Sequence, residues 1–123
     1  MVTLVLRPDD DADRYGSIEI DANGRICRFL SAAGPDLASS TGEKLMFTGV
    51  QILEPRVFDF MNDVAAPKKF GTTKETYPRM LHAGEPLYGF RFDGYWQDLG
   101  TEARIREAEK ALASAAVKLH FMP

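Results

Sequence analysis

Leu45-Met46-Phe47-Thr48-Gly49-Val50-Gln51-Ile52-Leu53 is the stretch that decides the fold class. Its apolar character is nearly continuous over the length of one strand. That pattern predicts a strand buried on both faces. Burial on both faces requires helices packed on either side of the sheet, hence an α/β architecture. Just after it, Pro55 suits the first turn of a short helix through about Met61. Just before it, Ser31 to Lys44 hold Gly, Pro, Ser and Thr without periodicity and read as a loop.

Further upstream, Tyr15-Gly16-Ser17-Ile18-Glu19-Ile20 has β character, and Arg25-Ile26-Cys27-Arg28-Phe29-Leu30 alternates charged and apolar residues. Asp21-Ala22-Asn23-Gly24 lies between them, and an Asn-Gly pair between two such runs is the strongest short hairpin signal. Thr3-Leu4-Val5-Leu6-Arg7 is another β-rich run, stopped by Pro8 and Asp9-Asp10-Asp11. Downstream, Lys74 to His82 carries Tyr77, Met80 and Leu81 at helical spacing, with Gly84 as a stop. Pro78 inside that pattern means a helix that is kinked or begins late.

Pro86 to Phe92 reads as a strand and Tyr95 to Leu99 as a second one, separated by Asp93-Gly94. Thr101 is a good N-cap for the last helix, with Glu102 in its first turn. Ile105, Ala108, Leu112, Ala115 and Leu119 keep one apolar face, and Glu102 to Arg106 is a correctly oriented i,i+4 pair. Residues 1–123 read as a single domain, without an internal repeat or a dividing linker. The inventory holds no complete run of strand-helix-strand units, so it reads as part of a larger α/β domain.

Composition narrows the function classes. The chain has 123 residues, 45% hydrophobic and 27% charged, which suits one small globular domain. Net charge is -3 and no basic stretch stands out, so the electrostatic footprint of nucleic-acid binding is missing. The single Cys27 excludes an internal disulfide and a cysteine-based zinc site in one chain, and reads as an inert small hydrophobe. There is no signal peptide and no apolar run long enough to span a bilayer, so the expected location is cytoplasmic, away from any membrane. His82 near a helix end reads as a surface residue. Arg25 and Arg28 read as alternating onto one solvated face.

The densest chemical signal is Gly84-Glu85-Pro86-Leu87-Tyr88-Gly89-Phe90-Arg91-Phe92-Asp93-Gly94-Tyr95-Trp96-Gln97-Asp98-Leu99-Gly100-Thr101. It resembles the closing motif of the sugar-1-phosphate nucleotidyltransferases, such as the mannose-1-phosphate guanylyltransferases and glucose-1-phosphate thymidylyltransferases. Their pattern is a strand ending in Phe-x-Gly-Tyr-Trp, then x-Asp-x-Gly-Thr opening a helix. Arg14-Tyr15-Gly16-Ser17-Ile18-Glu19 resembles the family's Tyr-Gly-x-x-Glu strand. Phe47-Thr48-Gly49-Val50-Gln51-Ile52-Leu53 resembles its Thr/Ala-Gly-x-x-x-hydrophobic strand. The three motifs stand in register from Thr3 to about Ala111.

The resemblance implies a partial nucleotide-diphospho-sugar transferase fold: a Rossmann-like mixed α/β sheet with a β-hairpin and flanking helices. It implies that residues 1–123 match the C-terminal, sugar-phosphate-binding half of such a domain. In the family a sugar 1-phosphate and a nucleoside triphosphate give an NDP-sugar and pyrophosphate, with two aspartates holding Mg²⁺. Asp98 matches the second aspartate. Gly16, Gly49 and Val50 match positions whose backbone amides contact the sugar, and glycine there permits close approach. No residue matches a catalytic side chain. Glu19 matches a position to which no chemistry is assigned.

Two departures bound the activity. Ser31-Ala32-Ala33 stands where the family has Glu-Lys-Pro, and an alanine cannot supply the ammonium that neutralises a phosphate. The family's glycine-rich triphosphate loop and first metal aspartate have no counterpart in residues 1–123. The expected reading is a truncated nucleotidyltransferase-like domain, inactive alone, with a sugar 1-phosphate or NDP-sugar as ligand. Its rivals are an enzyme half that completes an active site with another chain carrying the missing half, and a non-catalytic binding or assembly module derived from the same fold. The plainer readings of the same residues are a helix-flanking carboxylate for Asp98, a bulge and a packing point for Gly16 and Gly49, and packing for Tyr95 and Trp96. Exposed apolar faces and strand edges of a half-domain predict a homo-oligomer, most simply a dimer.

Overall fold

Along β1 (Val2–Pro8), Val2, Leu4 and Leu6 are fully buried while Thr3, Val5 and Arg7 are half-exposed. This period of two is the signature of a strand with one face on a core. The computed structural model describes residues 1–9, 12, 16–61, 71–117 and 119. The chain divides into two compact units, Met1–Asp93 and Gly94–Pro123.

The first unit holds β1, β2 (Ile18–Ile20), β3 (Ile26–Phe29), β4 (Ala32–Ala33), β5 (Leu45–Leu53), α1 (Tyr77–His82) and β6 (Leu87–Arg91). The strands form one six-stranded sheet in the order β4-β3-β2-β5-β1-β6. Only β1 and β6 pair in parallel, so the sheet is mixed. With its flanking helices this is the expected α/β class. The hairpin of β2 and β3 turns where Asn23-Gly24 predicts it, with Asp21 Oδ1 accepting the backbone N–H groups of Asn23 and Arg25 at 2.8 Å. A register shift within the hairpin leaves both Ile26 and Phe29 buried on either side of Cys27. The hairpin tip then covers the outer edge of β6: the Gly89 N–H donates to Gly24 O at 2.8 Å, and Arg25 bridges to Tyr88.

One face of the sheet carries the core. Leu4, Leu6, Ile18, Phe29, Leu45 and Leu87 meet Tyr77, Met80 and Leu81 of α1 and Val57 of a 3₁₀ turn, Pro55–Phe60. The Phe29 and Tyr77 rings pack edge to face, centroids 5.4 Å apart. Full burial of a side chain of this size is worth about 1.5–3 kcal/mol. α1 begins late, as Pro78 requires, after a π-helical turn at Thr72–Thr76.

Four expectations change. β5 is a strand, but it is not buried on both faces: Val50 and Ile52 are 54% and 73% exposed, and no described element covers them. A continuous apolar run reports the character of both faces, not whether a second layer exists. The stretch read as a loop from Ser31 to Lys44 contains β4 and a 3₁₀ turn, Leu37–Ser39. Tyr95 to Leu99 is not a strand, because no ladder partner meets it among the described residues. In the second unit α2 (Glu102–Ala113) stops short of the expected apolar face: Ala115 adopts φ 53°, which ends the helix before Leu119. Its start is as expected, with the Thr101 hydroxyl accepting the Arg104 N–H at 3.3 Å and Arg106 paired with Glu102.

No helix among the described residues is long and apolar enough to cross a membrane.

Candidate functional site

β2 and β5 are hydrogen-bonded neighbours at a single register pair, Ile18 with Leu45. Because the pair is antiparallel, Ser17 and Gly16 run on beyond it in the same direction as Met46 to Val50. Among the described residues the two strands share no further pair, and three of the four residues proposed from the sequence lie in the segments that run on from it. The preceding Arg14 and Tyr15 of that motif lie outside the described residues.

On the β2 side, Gly16 has φ 87°, and a Cβ there would stand 2.6 Å from Leu30 Cδ2. Leu30 itself adopts a left-handed φ of 55° at the β3–β4 turn, and its N–H donates to Ser17 O at 3.0 Å. Gly16 is therefore fixed by backbone conformation and by packing together. Ala32 follows that turn. It pairs with Phe29 and is 9% exposed, so it belongs to the core face, while Ala33 pairs with Arg28 and is exposed.

On the β5 side the chain bulges. Leu4 pairs with Gln51 but Leu6 pairs with Phe47, so β5 carries extra residues at Thr48-Gly49-Val50. Gly49 has φ 89°, and an added Cβ would meet nothing within 4 Å. Here glycine is required by conformation alone, and the space beside it is open. The Thr48 hydroxyl donates to Val5 O at 2.9 Å and accepts the Val50 N–H at 3.3 Å, pinning the bulge to β1. Sequence reasoning missed this role of Thr48. A threonine just before a strand glycine was the available signal. Behind the bulge, the Tyr77 hydroxyl donates to Gln51 Oε1. Burial pushes the Tyr77 phenol up, which keeps it a donor.

The cations of the hairpin are engaged elsewhere. Arg28 Nε bonds Glu19 Oε1 at 2.8 Å, and Ser40 Oγ donates to the other oxygen of Glu19 at 2.7 Å. Arg25 pairs with Asp36 at 3.3 Å and donates to Gly84 O at 3.1 Å. Neither arginine is simply solvated, and Glu19 has a structural task. Cys27 is fully buried, and desolvation and the nearby Asp21 and Asp36 carboxylates push its thiol up, so it is an inert core group. His82 is exposed at the end of α1, as expected.

Asp98 belongs to the second unit. Its Oδ1 accepts the Gly100 N–H at 3.0 Å and its Oδ2 is paired with Arg104. The carboxylate is exposed and sits just before the N-terminus of α2, where negative charge is favoured. Arg104 is a second partner that the sequence reading did not name, although its place three residues after the N-cap aims it back at the loop. Mg²⁺ requires near-octahedral oxygen ligation. Among the described residues no group of three acidic, histidine or cysteine side chains gathers to hold a metal. Asp98 alone, already neutralised by Arg104, does not make a Mg²⁺ site.

Comparison with known proteins agrees with the sheet. A family profile described as nucleotidyl transferase matches residues 1–115. A glucose-1-phosphate adenylyltransferase of Desulfitobacterium hafniense (strain DSM 10664 / DCB-2) is 31% identical over 100 residues, covering 81% of this chain and 25% of that relative. One from Thermotoga maritima is 31% identical over 106 residues, covering 85% of this chain and 25% of the relative. The chain thus spans about a quarter of the length of the relatives it matches. Motifs, mixed sheet and profile agree that the chain belongs to the nucleotidyl transferase family.

Proposed function

We propose that this chain supplies the sugar-1-phosphate side of an enzyme that joins a nucleoside triphosphate and a sugar 1-phosphate into an NDP-sugar and pyrophosphate. The observation that carries the reading is the pair of positive-φ glycines on neighbouring strands: Gly16 just beyond the Ile18–Leu45 pair on one strand and the Gly49-Val50 bulge on the other. A ligand oxygen entering there meets backbone N–H groups with little side chain in the way. The Val50 N–H makes a long 3.3 Å bond to Thr48, which a hydroxyl or phosphate oxygen can replace.

In this reaction a phosphate oxygen of the sugar 1-phosphate bonds to the α-phosphorus of the triphosphate, and the bond to the β-phosphate breaks to release pyrophosphate. The work is positioning and charge neutralisation. The residues of this chain would bind and orient the sugar. Asp98 is proposed as one oxygen ligand for a metal whose remaining ligands lie beyond the described residues, and no step is routed through it. The names of the relatives make glucose 1-phosphate and ADP-glucose the first ligands to test. Nucleoside triphosphate chemistry suits a cytoplasmic protein.

Residues 1–123 are proposed to be inactive by themselves, as one half of the nucleotidyltransferase domain. A second reading is a non-catalytic binding module, favoured by Ala32, which lies on the core face and offers no cation to a phosphate. Isothermal titration with glucose 1-phosphate, ADP-glucose and Mg²⁺ tests both. Heat of binding for either sugar ligand, with no NDP-sugar formed from triphosphate, supports the first reading. Absence of binding to all three defeats the sugar-side assignment.

A further inference from the structure

The side-chain amide of Gln51 is oriented by a buried neighbour. Tyr77 is fully buried, and its hydroxyl donates to Gln51 Oε1. Burial raises the phenol, more than a hydrogen bond with Thr72 lowers it, so its proton stays on. A buried O–H without an acceptor is costly, and Gln51 therefore turns its oxygen to Tyr77 and leaves its Nε2 end free to face away. The two N–H groups on Nε2 find no acceptor among the described residues. Gln51 is exposed and directly follows Val50, just past the Gly49 bulge, where an added Cβ would meet nothing within 4 Å.

We propose that Gln51 is a further ligand-binding residue, its Nε2 donating to a hydroxyl or phosphate oxygen of a sugar 1-phosphate held at the Val50 N–H. This role rests on the proposed sugar-side function and adds a side-chain donor to a site built otherwise from backbone. With its oxygen committed to Tyr77 the amide can only donate, so it selects oxygen acceptors on the ligand. The two donors come from successive residues of β5, at the point where its ladder with β1 resumes at the Leu4–Gln51 pair.

Titration of ¹⁵N-labelled chain with glucose 1-phosphate, followed at side-chain as well as backbone amides, tests it. The Gln51 side-chain pair is the one missing from the spectra of Gln51→Glu and Gln51→Ala. In wild type it should shift and saturate together with the Val50 amide. Gln51→Glu keeps an oxygen for the Tyr77 hydroxyl and should melt like wild type, yet it sets a carboxylate against the ligand oxygens and should weaken binding about tenfold or more. A purely structural Gln51 gives the opposite pattern, with Gln51→Glu binding like wild type and only Gln51→Ala impaired. That pattern, or saturable shifts at Gly16, Gly49 and Val50 beside an unmoved Gln51 pair, overturns the proposal and leaves the sugar-side reading in place. Shifts nowhere remove both. If Gln51→Glu melts early, the wild-type side-chain signals decide alone.

Discussion

Gly16 and Gly49 have nearly the same φ, 87° and 89°, but different surroundings. At Gly16 a side chain must both adopt a disfavoured conformation and displace Leu30 from 2.6 Å. At Gly49 only the conformation is opposed. Gly49→Ala should cost about 1–2 kcal/mol, and Gly16→Ala should cost more by about 1 kcal/mol or more, both read from urea unfolding midpoints. Equal losses would mean that Leu30 does not hold Gly16. The sequence marked both residues, yet it could not say which was conformational and which was packed, since φ and a contact with Leu30 across the hairpin are not local patterns. Ala32 illustrates the same limit. Its match to a phosphate-binding lysine suggested a lost ligand, while the ladder with Phe29 puts it among buried side chains. Ala32→Lys should therefore lower the melting temperature without raising affinity for glucose 1-phosphate. Cys27 gives a pH dependence: its thiol is raised in the folded state, so the folded chain holds that proton more tightly. This contribution to stability is complete below the ordinary thiol value and is lost as pH rises from about 9. Cys27→Ala should flatten that alkaline loss.

Elements whose signals are local were legible. Asn23-Gly24 located the hairpin and Thr101 the start of α2. Thr101→Ala should destabilise α2 by about 1 kcal/mol, seen as faster amide exchange over residues 102–113. Among the described residues of the second unit Ala108 alone is buried, so that loss should leave the unfolding of the sheet unchanged. Elements that depend on distant partners were not legible. Tyr95 to Leu99 has strand-like residues but, among the described residues, no strand to complete a ladder. β5 has a two-sided apolar pattern with a core on only one side. Ala32–Ala33 became a strand because β3 lies beside it, although nothing in those two residues favours one. Tyr77, at the start of α1, ties that helix to β5 through Gln51. Tyr77→Phe should cost about 1 kcal/mol and loosen the bulge ahead of Gln51, observable as faster exchange at Val50.

At the scale of the molecule, the mixed sheet accords with the family membership, and the neighbouring β2 and β5 with Gly16 and Gly49 set the terms of the proposed function. Gly16, Gly49 and Val50 belong to the first unit and Asp98 to the second, so the sugar-side and metal-side assignments stand on separate observations. The central claim, that the backbone at Gly16 and at Gly49-Val50 receives a sugar ligand, is tested most directly by titrating ¹⁵N-labelled chain with glucose 1-phosphate and then ADP-glucose while following backbone amides. The account predicts saturable shifts centred on Gly16, Ser17, Gly49 and Val50. Saturable shifts that leave those four amides unmoved, or no shifts with either ligand, would contradict it.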